Sequence, residues 1–133
     1  MADAVTSQTI FDGERKAIMK FTNVSDGTGE TGVLKVDVSA LSNSSFQKAC
    51  TSVTLERIHV SINGMSVSIL WDATTDVPAF IAAPGVYSFD FDKFQIPNDA
   101  GTGKNGDVLF TTIGASAGDT YTIILEMVKK YAD

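Results

Sequence analysis

The side chain best suited to acid–base chemistry is His59, the single histidine of the chain. A histidine that acts as a general base needs a nucleophile within hydrogen-bond reach and a carboxylate that orients its ring. The alternation of polar and apolar residues places His59 on the polar side of a strand, between Arg57 and Ser61. The sequence indicates neither a nucleophile nor an orienting carboxylate beside it. We therefore expect a surface or interface histidine. With one cysteine, Cys50, the chain also falls short of the three or four ligands of a usual zinc site.

Acidic and amide side chains in or near turns offer the hard oxygen atoms that calcium prefers. They are Asp26, Glu30, Asp72, Asp76, Asp90, Asp92, Asn98, Asp99 and Asp107. Their spacing does not match an EF-hand loop, and turn formation on an acidic surface explains them more simply. Two glycine-rich stretches, 26–29 and 100–104, superficially look like phosphate loops but lack the full pattern and the following helix. The sequence predicts no metal ion and no cofactor.

A set of aromatic side chains could in principle form a platform on which a sugar ring stacks. The set comprises Trp71, Phe80, Tyr87, Phe89, Phe91 and Phe94. Aromatic residues at every second position, such as Tyr87, Phe89 and Phe91, more often belong to a core. Cys50, at the entry to a strand, is most simply a small buried hydrophobic residue.

The elements that must position these side chains are short strands, because apolar alternation recurs between clusters of Gly, Asn, Asp, Ser and Thr. We predict eight to nine strands in an all-β, antiparallel sandwich; alternation and turn spacing do not distinguish a jelly roll from other Greek-key sandwiches. They run approximately over Ala4–Phe11, Lys16–Asn23, Val33–Val38, Val53–Ile62, Met65–Trp71, Ala79–Ala82, Tyr87–Phe91, Val108–Ile113 and Tyr121–Lys129. The last strand alternates cleanly, so it should lie inside a sheet, and its truncation should unfold the domain.

The clearest local pattern surrounds Asn63-Gly64, the dipeptide typical of a type I′ hairpin turn. Pairing across this turn predicts that six apolar side chains share one face of a two-stranded ribbon. They are Ile58, Val60, Ile62, Met65, Val67 and Ile69. The opposite face would carry Arg57, His59, Ser61, Ser66 and Ser68.

Length and charge narrow the class of protein further. The 133 residues suit one domain, 1–133, in which residues 1–10 form a possible N-terminal arm or edge strand. A net charge of −6 and a pI near 4.6 disfavour nucleic acid and anionic membranes as partners. No signal-peptide pattern or long apolar run is present, and one cysteine makes no intramolecular disulfide. Synthesis in a cytoplasm fits these features.

Five segments give the chain a resemblance to a known family. They are 12–17 (DGERKA), 19–23 (MKFTN), 35–39 (KVDVS), 69–76 (ILWDATTD) and 117–127 (AGDTYTIILEM). With these segments the chain resembles small virion structural proteins of tailed bacteriophages, including capsid decoration or cement-like proteins. The resemblance implies a jelly-roll-like sandwich that works by assembly on the particle, and it carries no catalytic residues.

The expectation that follows is a non-enzymatic capsid decoration or cement protein, made in the host cytoplasm and located on the capsid surface of the virion. It would form a homo-oligomer, with a trimer favoured, and bind the lattice of the major capsid protein. Expected contact elements are Ala2–Phe11, Ser25–Gly32 and Pro97–Gly106, which are polar and not needed for the core. The alternatives are a neck, tail or fibre component and a carbohydrate-binding module, with a glycoside hydrolase more distant.

Overall fold

The computed structural model describes residues 3–91 and 96–131. Every predicted strand is present there, with ends that differ from the prediction by at most three residues. The strands are β1 (Ala4–Asp12), β2 (Lys16–Val24), β3 (Val33–Val36), β4 (Cys50–Asn63), β5 (Ser66–Trp71), β6 (Val77–Ala82), β7 (Gly85–Asp90), β8 (Val108–Ile113) and β9 (Thr120–Tyr131). One 3-10 turn covers Val38–Ala40. No helix among the described residues is long and apolar enough to cross a bilayer.

The strands form two antiparallel sheets that pack face to face. A five-stranded sheet has the order β1-β2-β9-β4-β7, and a four-stranded sheet has the order β3-β8-β5-β6. Strands β2 to β9 thus supply four strands to each layer with jelly-roll connectivity, and β1 extends one layer at its edge. The predicted fold class, an antiparallel jelly-roll-like β-sandwich, is confirmed.

The core lies between the two sheets and follows the predicted alternation. The last strand contributes Tyr121, Ile123, Leu125 and Met127, all buried. They face a second buried row from the four-stranded sheet, which consists of Val67, Ile69, Trp71, Val108 and Phe110. Strand β9 lies between β2 and β4, as the sequence predicts for a strand inside a sheet. Cys50 is buried near one end of β4, and burial raises the pKa of its thiol.

The prediction of a hairpin at Asn63-Gly64 is wrong. Strand β4 pairs with β9 and β7, whereas β5 pairs with β8 and β6, so the turn joins the two sheets. A type I′ turn needs positive φ at both central positions. Gly64 has a φ of 87°, but Asn63 does not have a positive φ, since Gln47 is the only non-glycine residue of the described chain that does. The six apolar side chains predicted to share a ribbon face are buried, but they meet across the core from opposite sheets.

Strand β1 forms one edge of the five-stranded sheet. It pairs with β2 from Ala4 to Asp12, with an irregularity between Thr9 and Phe11. The side chains from Ala4 to Phe11 are exposed, and β1 is the additional edge strand of the sheet that has one strand more than the other. This strand therefore contributes little to the core.

Candidate interaction surfaces

The outer face of the four-stranded sheet carries no charged side chain from its four strands; we call it the uncharged face. One row crosses all four strands in register: Leu34 opposite Leu109, Leu109 opposite Leu70, and Leu70 opposite Pro78. The next row places Thr111 beside Ser68 and Ser68 beside Ile81. Solvated sheet faces usually alternate apolar residues inward with polar residues outward, so a row of apolar side chains is unusual there. Leu34 and Pro78 at the two ends of the row are exposed, Leu70 is half-buried and Leu109 is buried.

Several side chains of the uncharged face are accessible to a partner. Leu34 and Ile113 are exposed, and 59% of Ile81 is exposed. Lys35 is the one charged residue within the four strands, and its side chain points into the protein, where it pairs with Glu30. Exposed apolar area without charge is the composition found at the centre of protein interfaces.

The outer face of the five-stranded sheet differs sharply, and we call it the charged face. Lys16 Nζ lies 2.6 Å from Glu56 Oε1, and Arg57 Nε lies 3.1 Å from Asp90 Oδ2. Glu126 accepts from Arg57 Nη1 at 3.3 Å and lies 2.9 Å from His59 Nε2. Apart from Glu56, which is buried, these side chains are partly exposed, as expected for a solvated face. The two outer faces of the sandwich therefore have opposite chemical character.

His59 lies on the charged face beside Ser61, on the polar side that the sequence predicts. Glu126 supplies a carboxylate that could orient its ring, and Ser88 lies opposite in the neighbouring strand. Within the described chain, no hydrogen bond joins a hydroxyl group to His59. Glu126 is also shared with Arg57, so the arrangement is an ionic cluster on an open sheet and lacks the hydrogen-bonded nucleophile of a catalytic triad.

The acidic and amide side chains considered as calcium ligands do not form a site: among residues 3–91 and 96–131 no three His, Cys, Asp or Glu side chains form a metal-binding group. Most of them serve turns or ion pairs. Asp76 accepts from the Ala73 N–H, Asp26 from the Thr28 N–H, and Asp107 from the Val38 N–H. Burial and the nearby Asp37 and Asp72 raise the pKa of Asp107, although the Val38 hydrogen bond opposes this. Asp92 lies outside the described residues.

The glycine-rich loop after β2 holds an anion, but that anion belongs to the chain itself. Asp3 Oδ1 accepts from the Asp26 N–H at 3.1 Å and from the Gly29 N–H at 3.2 Å. Asp3 Oδ2 accepts from Asn23 Nδ2 at 3.0 Å. The Asp3 carboxylate therefore occupies amide groups of the loop that superficially looked like a phosphate loop. These hydrogen bonds fix the start of β1 to the Ser25–Gly32 loop.

The Pro97–Gly106 loop lies apart from that region. It borders an open groove of about 560 Å³ that is lined mostly by residues with polar side chains. The lining includes Thr54, Asn98, Lys104, Asn105 and Lys130. The predicted contact elements therefore fall into two places: the N-terminal strand with the Ser25–Gly32 loop, and the Pro97–Gly106 loop with this groove.

The aromatic residues considered as a sugar-binding platform differ in their exposure to solvent. Trp71 is fully buried, so it cannot stack on a ligand. Phe80, Tyr87, Phe89 and Phe91 pack together between the edge strands β6 and β7, with ring centroids of Phe80 and Phe89 5.3 Å apart. Phe89 retains 43% exposure, whereas Phe80 is half-buried. Phe94 lies outside the described residues.

A buried ionic network lies inside the sandwich. Lys35 Nζ donates to Glu30 Oε2 at 2.6 Å, and both side chains are almost fully buried. Glu30 Oε1 also accepts from Tyr121 Oη at 2.5 Å and from Asn23 Nδ2 at 3.0 Å. Burial and the adjacent Glu30 carboxylate raise the pKa of Tyr121 far above its usual range. These bonds satisfy both charges, as buried ions require.

The comparisons with known proteins give no family. No family model and no curated protein match the chain. Among solved structures, it is similar to a mutant of a family 29 carbohydrate-binding module, with a TM-score of 0.40, 9% identity and coverage of 95% of this chain and 86% of that one. It is also similar to the polyketide cyclase RemF from Streptomyces resistomycificus, with a TM-score of 0.33, 12% identity and coverage of 97% and 68%. Likenesses this low indicate no function.

Proposed function

We propose that the protein is a non-enzymatic structural component of a bacteriophage virion that decorates the capsid. The observation that carries the proposal is the uncharged face, where Leu34, Pro78 and Ile81 are exposed and the four strands add no charged side chain. The resemblance of the chain to small virion structural proteins indicates the assembly in which it would function, the phage particle. The major capsid protein is the partner, and the uncharged face docks on its lattice.

The chemistry of this face suits repeated docking on a regular surface. A sheet face whose strands add no charged side chain gives up less hydration energy on binding than a charged face would. The Asp76 carboxylate lies beside Gly32, in the loop next to this face. Each exposed apolar side chain contributes about 25 cal/mol per Å² of area that the partner removes from water. Many copies on one lattice let modest contacts add up to a stable coat.

The loop Ser25–Gly32 extends the docking area. The Gly32 N–H donates to Thr111 Oγ1 at 2.8 Å, and the Thr112 N–H donates to the Glu30 carbonyl at 2.9 Å. These bonds hold the loop alongside β8, a strand of the uncharged face. A partner that covers this face therefore also contacts the loop.

Replacement of Ile81 by lysine is expected to weaken binding to capsids by roughly tenfold or more, which corresponds to about 1.4 kcal/mol. The lysine would place a charge in a contact from which water must be removed. The measurement is co-sedimentation of the purified chain with particles that lack it, over a range of chain concentrations.

The matched control is Val86→Lys on the charged face. Val86 is 84% exposed and, like Ile81, lies in an edge strand, so both variants add one lysine at an accessible site. Val86→Lys should bind capsids as the wild type does. Equal binding by both variants, with thermal unfolding unchanged, would remove the uncharged face from the docking mechanism.

A second candidate function, a carbohydrate-binding module, is favoured by the position of Phe89. Its ring is partly exposed at the opening between the sheets and lies nearly parallel to the ring of Phe91, with an interplanar angle of 13°. A ring accessible at such an opening can pack on a sugar. Retardation of the purified chain in polysaccharide gels, lost in Phe89→Ala, would favour this function over capsid decoration.

A further inference from the structure

Strand β1 has an open edge of unusual composition. It pairs with β2 on one side, and within the described chain no strand lies along its other side. From Ala4 to Phe11 the sequence is AVTSQTIF, which contains no charged residue and no proline. An exposed edge strand presents a row of free N–H and C=O groups that can pair with another strand.

The other edge strands carry the features that natural proteins use to prevent such pairing. Strand β6 contains Pro78, which has no N–H to donate. Strand β3 has four residues and an irregularity between Leu34 and Val36. Strand β7 has six residues, and Asp90 adds a charge. Of the four edges, β1 is the longest, with nine residues and no proline. Its one charged residue, Asp12, is the last of the strand and is paired with Lys129, and its irregularity lies near the same end, between Thr9 and Phe11.

Strand β1 is also held in place at both ends. At its start, Asp3 binds the amide groups of Asp26 and Gly29. At its end, Asp12 Oδ1 accepts from the buried Lys129 Nζ at 2.5 Å. Partial burial raises the pKa of Asp12, but hydrogen bonds from Lys129 and Ser42 outweigh this and hold the pKa below its usual value. The exposed middle of the strand is therefore fixed in a geometry ready to pair.

We propose that β1 binds β1 of a second copy of this chain. Antiparallel pairing about a two-fold axis normal to the sheet would join two five-stranded sheets into one continuous sheet. With Ser7 near the axis, Thr6 lies opposite Gln8 on the same face. A two-fold axis places the residues of β1 opposite residues of its own copy, and Ser7 beside the partner's Ser7, so a strand with charges of one sign would repel itself. From Ala4 to Phe11 this strand has no charge.

Pairing also covers apolar side chains that the single chain leaves in water. Val5, Ile10 and Phe11 are all exposed in β1, and a strand laid beside them removes part of that area from solvent. The inference does not depend on the capsid role. It predicts a dimer in solution, whereas the resemblance alone favoured a trimer.

The test is the mass of the full chain by sedimentation velocity over a wide range of concentrations, with the variant Ser7→Lys. The wild type should be a dimer at high concentration and dissociate on dilution. Ser7→Lys should be a monomer throughout, because the axis would bring two ammonium groups together. The matched control is Ser88→Lys, a serine to lysine change in the exposed edge strand β7, which should dimerise like the wild type.

A second readout reports on the strand itself. Hydrogen exchange of the β1 amides should slow as the wild-type concentration rises, and exchange in Ser7→Lys should not change with concentration. A wild type that is a monomer at its highest soluble concentration would overturn the proposal. So would a trimer, or a Ser7→Lys chain that still dimerises.

Discussion

Removal of β9, Thr120–Tyr131, is expected to leave the chain unfolded. The strand pairs with β2 along nine residues and with β4 along most of its length, so its loss splits the five-stranded sheet. It also removes the buried side chains of Ile123, Leu125 and Met127. Truncating a single buried aliphatic side chain costs about 2–5 kcal/mol, and a whole domain is stable by about 5–15 kcal/mol. Circular dichroism with a thermal scan measures the outcome.

Deletion of Ala2–Thr9 is the control for that experiment. It removes most of the other terminal strand, but β1 lies at an edge and its residues are exposed. The shortened chain should still unfold cooperatively, because the core is intact. Cooperative unfolding by the chain without β9 would contradict this account of the fold. Unchanged capsid binding by the chain without 2–9 would remove the N-terminal arm from the docking mechanism.

Replacement of Lys35 by methionine is expected to lower the free energy of unfolding by about 3–5 kcal/mol, which is the usual cost of removing one partner of a buried ion pair. Methionine preserves the length of the side chain but leaves the Glu30 carboxylate without its counter-ion. Tyr121 and Asn23 still donate to Glu30, yet neither carries a charge. Urea unfolding at neutral pH measures the difference.

Lys16→Met is the matched control, because Lys16 forms an ion pair of the same 2.6 Å length, but its side chain is 43% exposed although its partner Glu56 is buried. Water reaches Lys16, and Arg57 Nη1 lies 3.8 Å from the same Glu56 oxygen, so this variant should lose less stability than Lys35→Met. The double variant Glu30→Gln with Lys35→Met should recover part of the loss, since no charge is then left buried. Equal losses for Lys16→Met and Lys35→Met would contradict the role assigned to burial.

The sequence predicts the strands well because a strand with one buried face must alternate with a period of two. Tyr121, Ile123, Leu125 and Met127 are an example, since all four point into the core. Alternation does not reveal which strand lies beside which. The residues around Asn63-Gly64 alternate equally well in a hairpin and in a turn between sheets, so the pairing of β4 with β5 was predicted wrongly.

The candidate surface was less predictable than the fold. The absence of charge in β5, β6 and β8 is visible in the sequence, and it could have pointed to the uncharged face. The alignment of Leu34, Leu109 and Leu70 depends on pairing between distant strands, which no local pattern encodes. Trp71 looked like a possible ligand platform by residue type, but only the packing of the two sheets shows that it is buried.

The copy number of this chain in purified virions tests the capsid role most directly. Quantitative mass spectrometry would compare its peptides with those of the major capsid protein. Decoration of a lattice predicts a number of copies comparable to that of the capsid protein, because each repeat of the lattice offers the same site. A few copies per particle would place the chain in the neck, tail or a fibre, and its absence from virions would contradict the proposed function.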